Sequence, residues 1–132
     1  MTPLLQHVII LLLLSISAAA ASQCSDSFTA IDEGDIDWLR DNLDSQIINS
    51  CTSWWGESLL HRAASKGQRE IAIELIDKGI NVNKLDWAGG TALLHACSRR
   101  PFVETNADIV DALLDAGADP DIQGEVSGFQ VP

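Results

Sequence analysis

GESLLHRAASKGQREIAIELIDKGINVNKLD, residues 56–86, is the stretch from which the architecture can be read. Leu59, Leu60, Ala63 and Ala64 fall at i, i+1, i+4 and i+5, a spacing that lines small and branched apolar side chains along one helical face. Gly67 stops that helix. Ile71, Ala72, Leu75 and Ile76 repeat the spacing in a second helix, and Gly79 stands where a left-handed C-terminal cap wants a residue without a Cβ. Two short antiparallel helices are therefore expected. Beyond them Ile80-Asn81-Val82-Asn83 alternates apolar and polar, and Asp86-Trp87-Ala88-Gly89 carries turn chemistry, which predicts a protruding hairpin.

The same text recurs on both sides. Slid upstream until Gly67 meets Gly34, it also lays Ile71 on Trp38, Ile76 on Leu43 and Ile80 on Ile47. This upstream copy is degenerate, with Gln46 where the capping glycine belongs and a run of acidic residues suited to a water-facing end. Downstream, Leu93, Leu94, His95 and Cys97 fall on Leu59, Leu60, His61 and Ala63, at an interval one longer than the upstream one, with the Gly89-Gly90 pair read as the extra residue. Ile109, Leu113, Leu114 and Gly117 fall on Ile71, Leu75, Ile76 and Gly79 at a wider interval still, so four inserted residues are expected between the helices, in the stretch 98–106. Pro101 interrupts the first helix there, and Thr105 with Asp108 has the form of a capping box that opens the second.

Gly56, Leu60, His61, Ala63, Ala64, Gly67, Leu75, Gly79, Val82, Asn83, Asp86 and Gly89 match a pattern that runs G-x-T-P-L-H-x-A-A-x-x-G, then V-x-x-L-L-x-x-G-A-D-x-N, then D-x-x-G. On these residues the unit resembles an ankyrin repeat, with Ser58 and Leu59 replacing the usual Thr-Pro. The resemblance covers roughly residues 27–122. It implies an all-α fold, an ankyrin-repeat solenoid of about three helix-turn-helix units with β-hairpin fingers. The units are expected at about 24–55, 56–89 and 90–123 of a repeat domain spanning 24–132, with 124–132 opening an incomplete finger or fourth repeat. Gly67, Gly79 and Gly117, together with His61 and His95, are then structural repeat residues, the histidines bonding the neighbouring turn backbone.

The N-terminus reads differently. Val8 to Ile16 is an almost unbroken apolar run followed by Ala18 to Ala21, shorter than the roughly 20 apolar residues that span a bilayer. A short apolar core with a small-residue tail predicts a signal peptide over 1–21, cut after Ala21, and hence a secreted or secretory-pathway domain. An uncleaved anchor is the alternative, because no Lys or Arg precedes the run. No stable membrane span is expected after cleavage. With 8 basic against 19 acidic residues, the net charge of −11 argues against nucleic acid or anionic membrane; a solvated acidic domain is the plain reading, and a basic partner the sharper alternative.

The three cysteines divide. Cys97, aligned with Ala63, is expected to be buried as a small apolar residue. Cys24 precedes the first helix of its unit and Cys51 follows the second. In a helix pair those ends lie on one side, so a Cys24–Cys51 disulfide is expected in an oxidising compartment. Three free thiols, or an intermolecular bridge, are the alternatives.

No nucleophile–base pair, paired catalytic carboxylates, phosphate loop or four-ligand metal spacing stands out, so no catalytic residue, metal site or cofactor is expected. The aromatic residues say more. Trp54 and Trp87 are one repeat apart on equivalent fingers, with Trp55 beside the first. Large aromatics on projecting fingers suit a binding hot spot, and stacking of Trp54 on Trp87 is the competing reading. Trp38 is expected in the core. Arg99 and Arg100, the one local basic pair, are further partner-binding candidates. The function expected is a secreted, non-catalytic module that binds an unknown protein partner through fingers and inner helices. The alternatives are a structural or toxin-like fragment of a longer secreted ankyrin array, or a metal-dependent enzyme using His61, His95 and Cys97.

Overall fold

The computed structural model describes residues 3–98 and 104–122. Arg99, Arg100, Pro101 and the expected fourth unit at 124–132 lie outside the described residues, as does the side chain of Thr105. Six helices form among the described residues: α1 (Pro3–Glu33), α2 (Ile36–Asn42), α3 (Leu59–Lys66), α4 (Arg69–Asp77), α5 (Ala92–Ser98) and α6 (Glu104–Asp115). They pack as three pairs, α1 with α2, α3 with α4 and α5 with α6. The C-terminal part of α1, α3 and α5 make an inner row, and α2, α4 and α6 an outer one.

Each pair is closed by its own end chemistry. Ser58 is the N-cap of α3, and its hydroxyl accepts the His61 N–H while the His61 side chain returns to the Ser58 N–H, a reciprocal capping box. Gly67 ends the helix in the left-handed region and turns its N–H back to the carbonyls of Ala63 and Ala64. At Gly79 and Gly117 a Cβ would meet nothing within 4 Å, yet φ is +90° and +92°. Backbone conformation, not space, therefore demands glycine there.

The predicted faces form the core. Leu59, Leu60, Ala63, Ala64, Ala72 and Leu75 are completely buried, and Ile31 and Leu39 of the first pair join Leu113 of the third in the same cluster. Trp38, expected in the core, is half-buried and packs against it. Asparagines stitch the pairs together. Asn49 Oδ1 accepts the Asn81 N–H at 2.7 Å, and Asn83 Oδ1 accepts the Asp119 N–H at 2.8 Å, the same clamp one unit on.

Three expectations are corrected. First, the inner helix of the third unit follows that of the second at the same interval that separates the first two units, not at one longer. Thr91 receives the Leu94 N–H as Ser58 receives that of His61, and Gly89 turns with φ +77° as Gly56 does with +74°. Leu93 is thus the counterpart of Leu60 and is buried, while Leu94 is 55% exposed and lies outside the shared seam. Cys97, expected inside, is exposed. The outer helices keep their expected alignment, since Ala118 donates to the Leu113 carbonyl as Ile80 does to that of Leu75. The insertion is therefore one residue longer than expected, five rather than four.

Second, the fingers are turns rather than ladders. One antiparallel bridge, Thr52 with Ser58, closes the first finger, and no strand forms among the described residues. Ser58 is already the N-cap of α3, so the chain enters the helix before a second rung can pair. Third, Cys24, expected ahead of the first helix of its unit, lies inside α1, which runs unbroken from Pro3 to Glu33. From Leu4 to Glu33 it contains no glycine or proline, and Ala18–Ala21 have the strongest helix propensity of any residue. Among the described side chains of α1, the buried ones, Ser27, Ala30 and Ile31, lie in the last two turns, whereas the large apolar side chains from Leu4 to Leu13 stay 42–78% exposed. Among the described residues no helix is long and apolar enough to cross a membrane.

Candidate functional site

The fingers are built on a polar residue at the same place in each. Ser53 Oγ accepts the N–H groups of Trp55 and Glu57 at 3.3 and 3.2 Å. Asp86 Oδ1 accepts those of Ala88 and Gly90 at 3.0 and 2.8 Å, the same turn made with a carboxylate. Adjacent fingers are then joined by the Trp87 N–H donating to the Trp55 carbonyl at 2.9 Å. The turns push the indoles outward, leaving Trp54, Trp55 and Trp87 88%, 73% and 70% exposed. Trp87 rests on the backbone of Gly56, where a Cβ would come within 2.4 Å of the indole. It is this close approach, not a stack on Trp54, that holds its ring.

Behind the fingers, at the N-terminal ends of α3 and α5, two histidines and a carboxylate meet. His61 Nδ1 accepts the Ser58 N–H at 3.1 Å, and its Nε2 lies 2.9 Å from the Gly90 carbonyl, so the proton belongs on Nε2. Burial holds this imidazole below its ordinary value, against the pull of the Gly90 carbonyl. His95 Nε2 lies 2.8 Å from Asp86 Oδ2, and the two imidazoles meet edge to face with centroids 5.1 Å apart. Burial raises the Asp86 carboxyl, but the Gly90 N–H and then His95 more than offset it, and the group ends below the usual carboxylate value.

A family model described as ankyrin repeats in three copies matches residues 18–124. The chain belongs to the ankyrin-repeat family. It is similar to proteins described as ankyrin repeat, SAM and basic leucine zipper domain-containing protein 1. Those from Otolemur garnettii and Mustela putorius furo are each 34% identical over 93 residues, 70% of this chain and 19% of the relative. That from Ovis aries is 32% identical over the same length and shares. The chain thus spans about a fifth of the length of these relatives.

Within the ankyrin frame the two histidines are not equivalent. His61 occupies the expected structural place, tying its own cap to the next repeat. His95 stands where the second repeat has Arg62, and each bonds the finger before it at a different place: Arg62 Nη2 reaches Glu57 Oε2 at 3.4 Å, whereas His95 reaches Asp86, the counterpart of Ser53. Sequence reasoning grouped His95 with Cys97, but the exposed thiol is absent from the cluster, which consists of His61, Asp86 and His95. Asp86 was read as turn chemistry alone, and its place at the head of the finger that precedes His95 was the available signal. Cys24 and Cys51 lie with their Cα atoms 5.2 Å apart and their side chains facing, with Cys51 fully buried.

Proposed function

We propose that this ankyrin unit is a non-catalytic binding module that engages a basic protein partner through Trp54 and Trp55, with Trp87 of the next finger bracing theirs. Ankyrin repeats are protein–protein interaction modules, and the observation that carries the finer reading is the outward presentation of the three indoles on consecutive fingers. Aromatic side chains of this size bury much area at little entropic cost. The acidic balance of the chain supplies attraction over distance. The test is affinity capture with the full chain and with Trp54→Ala/Trp55→Ala. Both residues are exposed, so folding should be unchanged while recovery of the partner falls. Equal recovery by the two forms overturns the reading.

Secretion and a Cys24–Cys51 disulfide belong to the same proposal. Among the described side chains, loss of residues 1–21 would remove none from the core, and the Cα separation of the two cysteines is one a disulfide accepts. Expression in a secreting host should yield a chain that begins near Ser22. Alkylation before reduction should mark Cys97 alone, and labelling of all three cysteines would reject the bridge.

A second reading, a segment of a longer ankyrin array, is favoured by Leu94 and Leu114, 55% and 43% exposed on the third repeat. Genomic or transcript sequence that continues the repeat would support it.

A further inference from the structure

We propose that His61, Asp86 and His95 bind one divalent transition-metal ion of the zinc class. The three side chains each offer a ligand atom, and these atoms all lie within 4.8 Å of one another. Two imidazole nitrogens and one carboxylate oxygen are a donor set that zinc accepts, at bonds of about 2.0–2.2 Å. Ligand atoms around such an ion sit roughly 3.3 Å apart, so small adjustments of side chains already converging complete the site.

The carboxylate is built for this role. The Asp86 side chain is only 7% exposed, and the N–H groups of Ala88 and Gly90 hold Oδ1, which leaves Oδ2 directed at His95. Such outer bonds fix a ligand's orientation in advance. His95 must present a bare Nε2 to the ion, so the proton it shares with that oxygen passes to its own Nδ1. His61 must move its proton from Nε2 to Nδ1, where the Ser58 hydroxyl lies 2.8 Å away and can accept it. That exchange gives up the bond to the Gly90 carbonyl and also the one Nδ1 accepts from the Ser58 N–H, so the affinity expected is moderate. The remaining coordination position opens on the cleft lined by Ser65, Leu94 and Ser98, where water can complete a tetrahedron.

The cluster depends on the register of the third repeat. A histidine at position 94 would stand where His61 does in its own unit, at the third residue of the helix. One position later, at 95, the ring instead meets Asp86 and His61. This inference is independent of the finger-binding reading, because no indole contributes a ligand.

The experiment uses the full chain carrying His7→Gln and Cys97→Ser, which removes other soft donors. Zinc is titrated calorimetrically, and cobalt(II) is followed by its visible absorption. The parent should bind about one ion with a dissociation constant of roughly micromolar order, show tetrahedral cobalt bands and melt at higher temperature in zinc than in chelator. His95→Ala, at a partly exposed position whose loss should lower the chelated melt only slightly, should weaken binding by at least about tenfold and abolish the bands. Asp86→Asn, which keeps an oxygen for the finger turn, should do the same. No saturable binding by the parent overturns the site, and so does undiminished binding by the two variants.

Discussion

The inner helices of the second and third repeats both contain Leu-Leu-His, and the chain uses that text differently in each. In α3 the N-cap is Ser58 and the tripeptide fills the first three helical positions, burying Leu59, Leu60 and His61. In α5 the cap is Thr91, Ala92 takes the first position, and every member of the tripeptide is carried one residue further around the helix. One residue is about 100° of rotation. Leu94 is therefore turned out of the seam and His95 turned back toward the finger, although nothing in the tripeptide itself has changed. Register is set by the capping hydroxyl and the glycine turn before it, and a side chain's fate follows from its distance to that cap.

The widest separation between the two helices should appear on truncating their leucines. Leu60→Ala removes a completely buried side chain from the middle of the inner row and should cost about 2–5 kcal/mol. Leu94→Ala, at a position 55% exposed, should stay within about 0.5 kcal/mol of the parent. Urea denaturation of both variants checks this. Equal losses would return Leu94 to the core and restore the longer period that the matching strings suggest.

The histidines should separate next. His61→Ala strands the buried Ser58 N–H and takes one of two donors from the Gly90 carbonyl, which keeps the Asp86 N–H, and an unsatisfied buried donor costs about 1–3 kcal/mol. His95→Ala opens a partly exposed contact with Asp86, whose carboxylate keeps two backbone N–H donors, so the loss should be well under half as large. Thermal melts in chelator compare them without interference from metal. A larger loss at His95 would mean that the Asp86 contact, and not the second repeat's capping box, is the firmer junction.

Most of the fold was legible in the sequence because it is written in short-range chemistry. Glycines at 67, 79 and 117 end helices in the left-handed region, and apolar spacing names the buried faces of α3, α4 and α6. What misled was a match of side-chain identity. Aligning the two Leu-Leu-His strings forced a residue into the Gly89-Gly90 pair, though Gly89, like Gly56, makes the left-handed turn and the loop length is unchanged. That alignment puts Leu94 and Cys97 inside, where the structure exposes both, and it conceals Asp86 as a partner of His95. The shortness of the fingers, turns where a hairpin ladder is expected, escapes the sequence for a different reason. Alternation over four residues cannot show that a helix cap follows immediately.

Acid should sharpen the contrast on the second repeat's side. His61 is held neutral by burial and faces His95, Asp86 and Glu57, and in the folded chain it titrates below its ordinary value of 6.5. Above 6.5 its contribution is complete. As pH falls from there, the unfolded chain takes up the proton first and stability declines, by at most about 1.4 kcal/mol per pH unit for one group. Asp86, also depressed in the folded chain, adds a second decline as pH falls through 3.8. Stability measured from neutral to mildly acid pH should slope downward toward acid, and His61→Leu should flatten the slope. A slope unchanged by that substitution would place the titrating group elsewhere.

The smallest difference expected lies between the caps that set the register. Thr91→Ala removes one acceptor, the partner of the Leu94 N–H, and N-cap truncations of this type cost about 1 kcal/mol. Ser58→Ala removes the acceptor of the His61 N–H and the hydroxyl that lies 2.8 Å from Nδ1, so it loosens the imidazole that links α3 to the third repeat as well as the helix end. It should therefore exceed Thr91→Ala by a few tenths to about 1 kcal/mol. The coupling can be isolated by a cycle. In a His61→Ala background the extra cost of Ser58→Ala should vanish and the two caps become equal, whereas a difference that survives would locate the added strength of the first cap in the helix end alone.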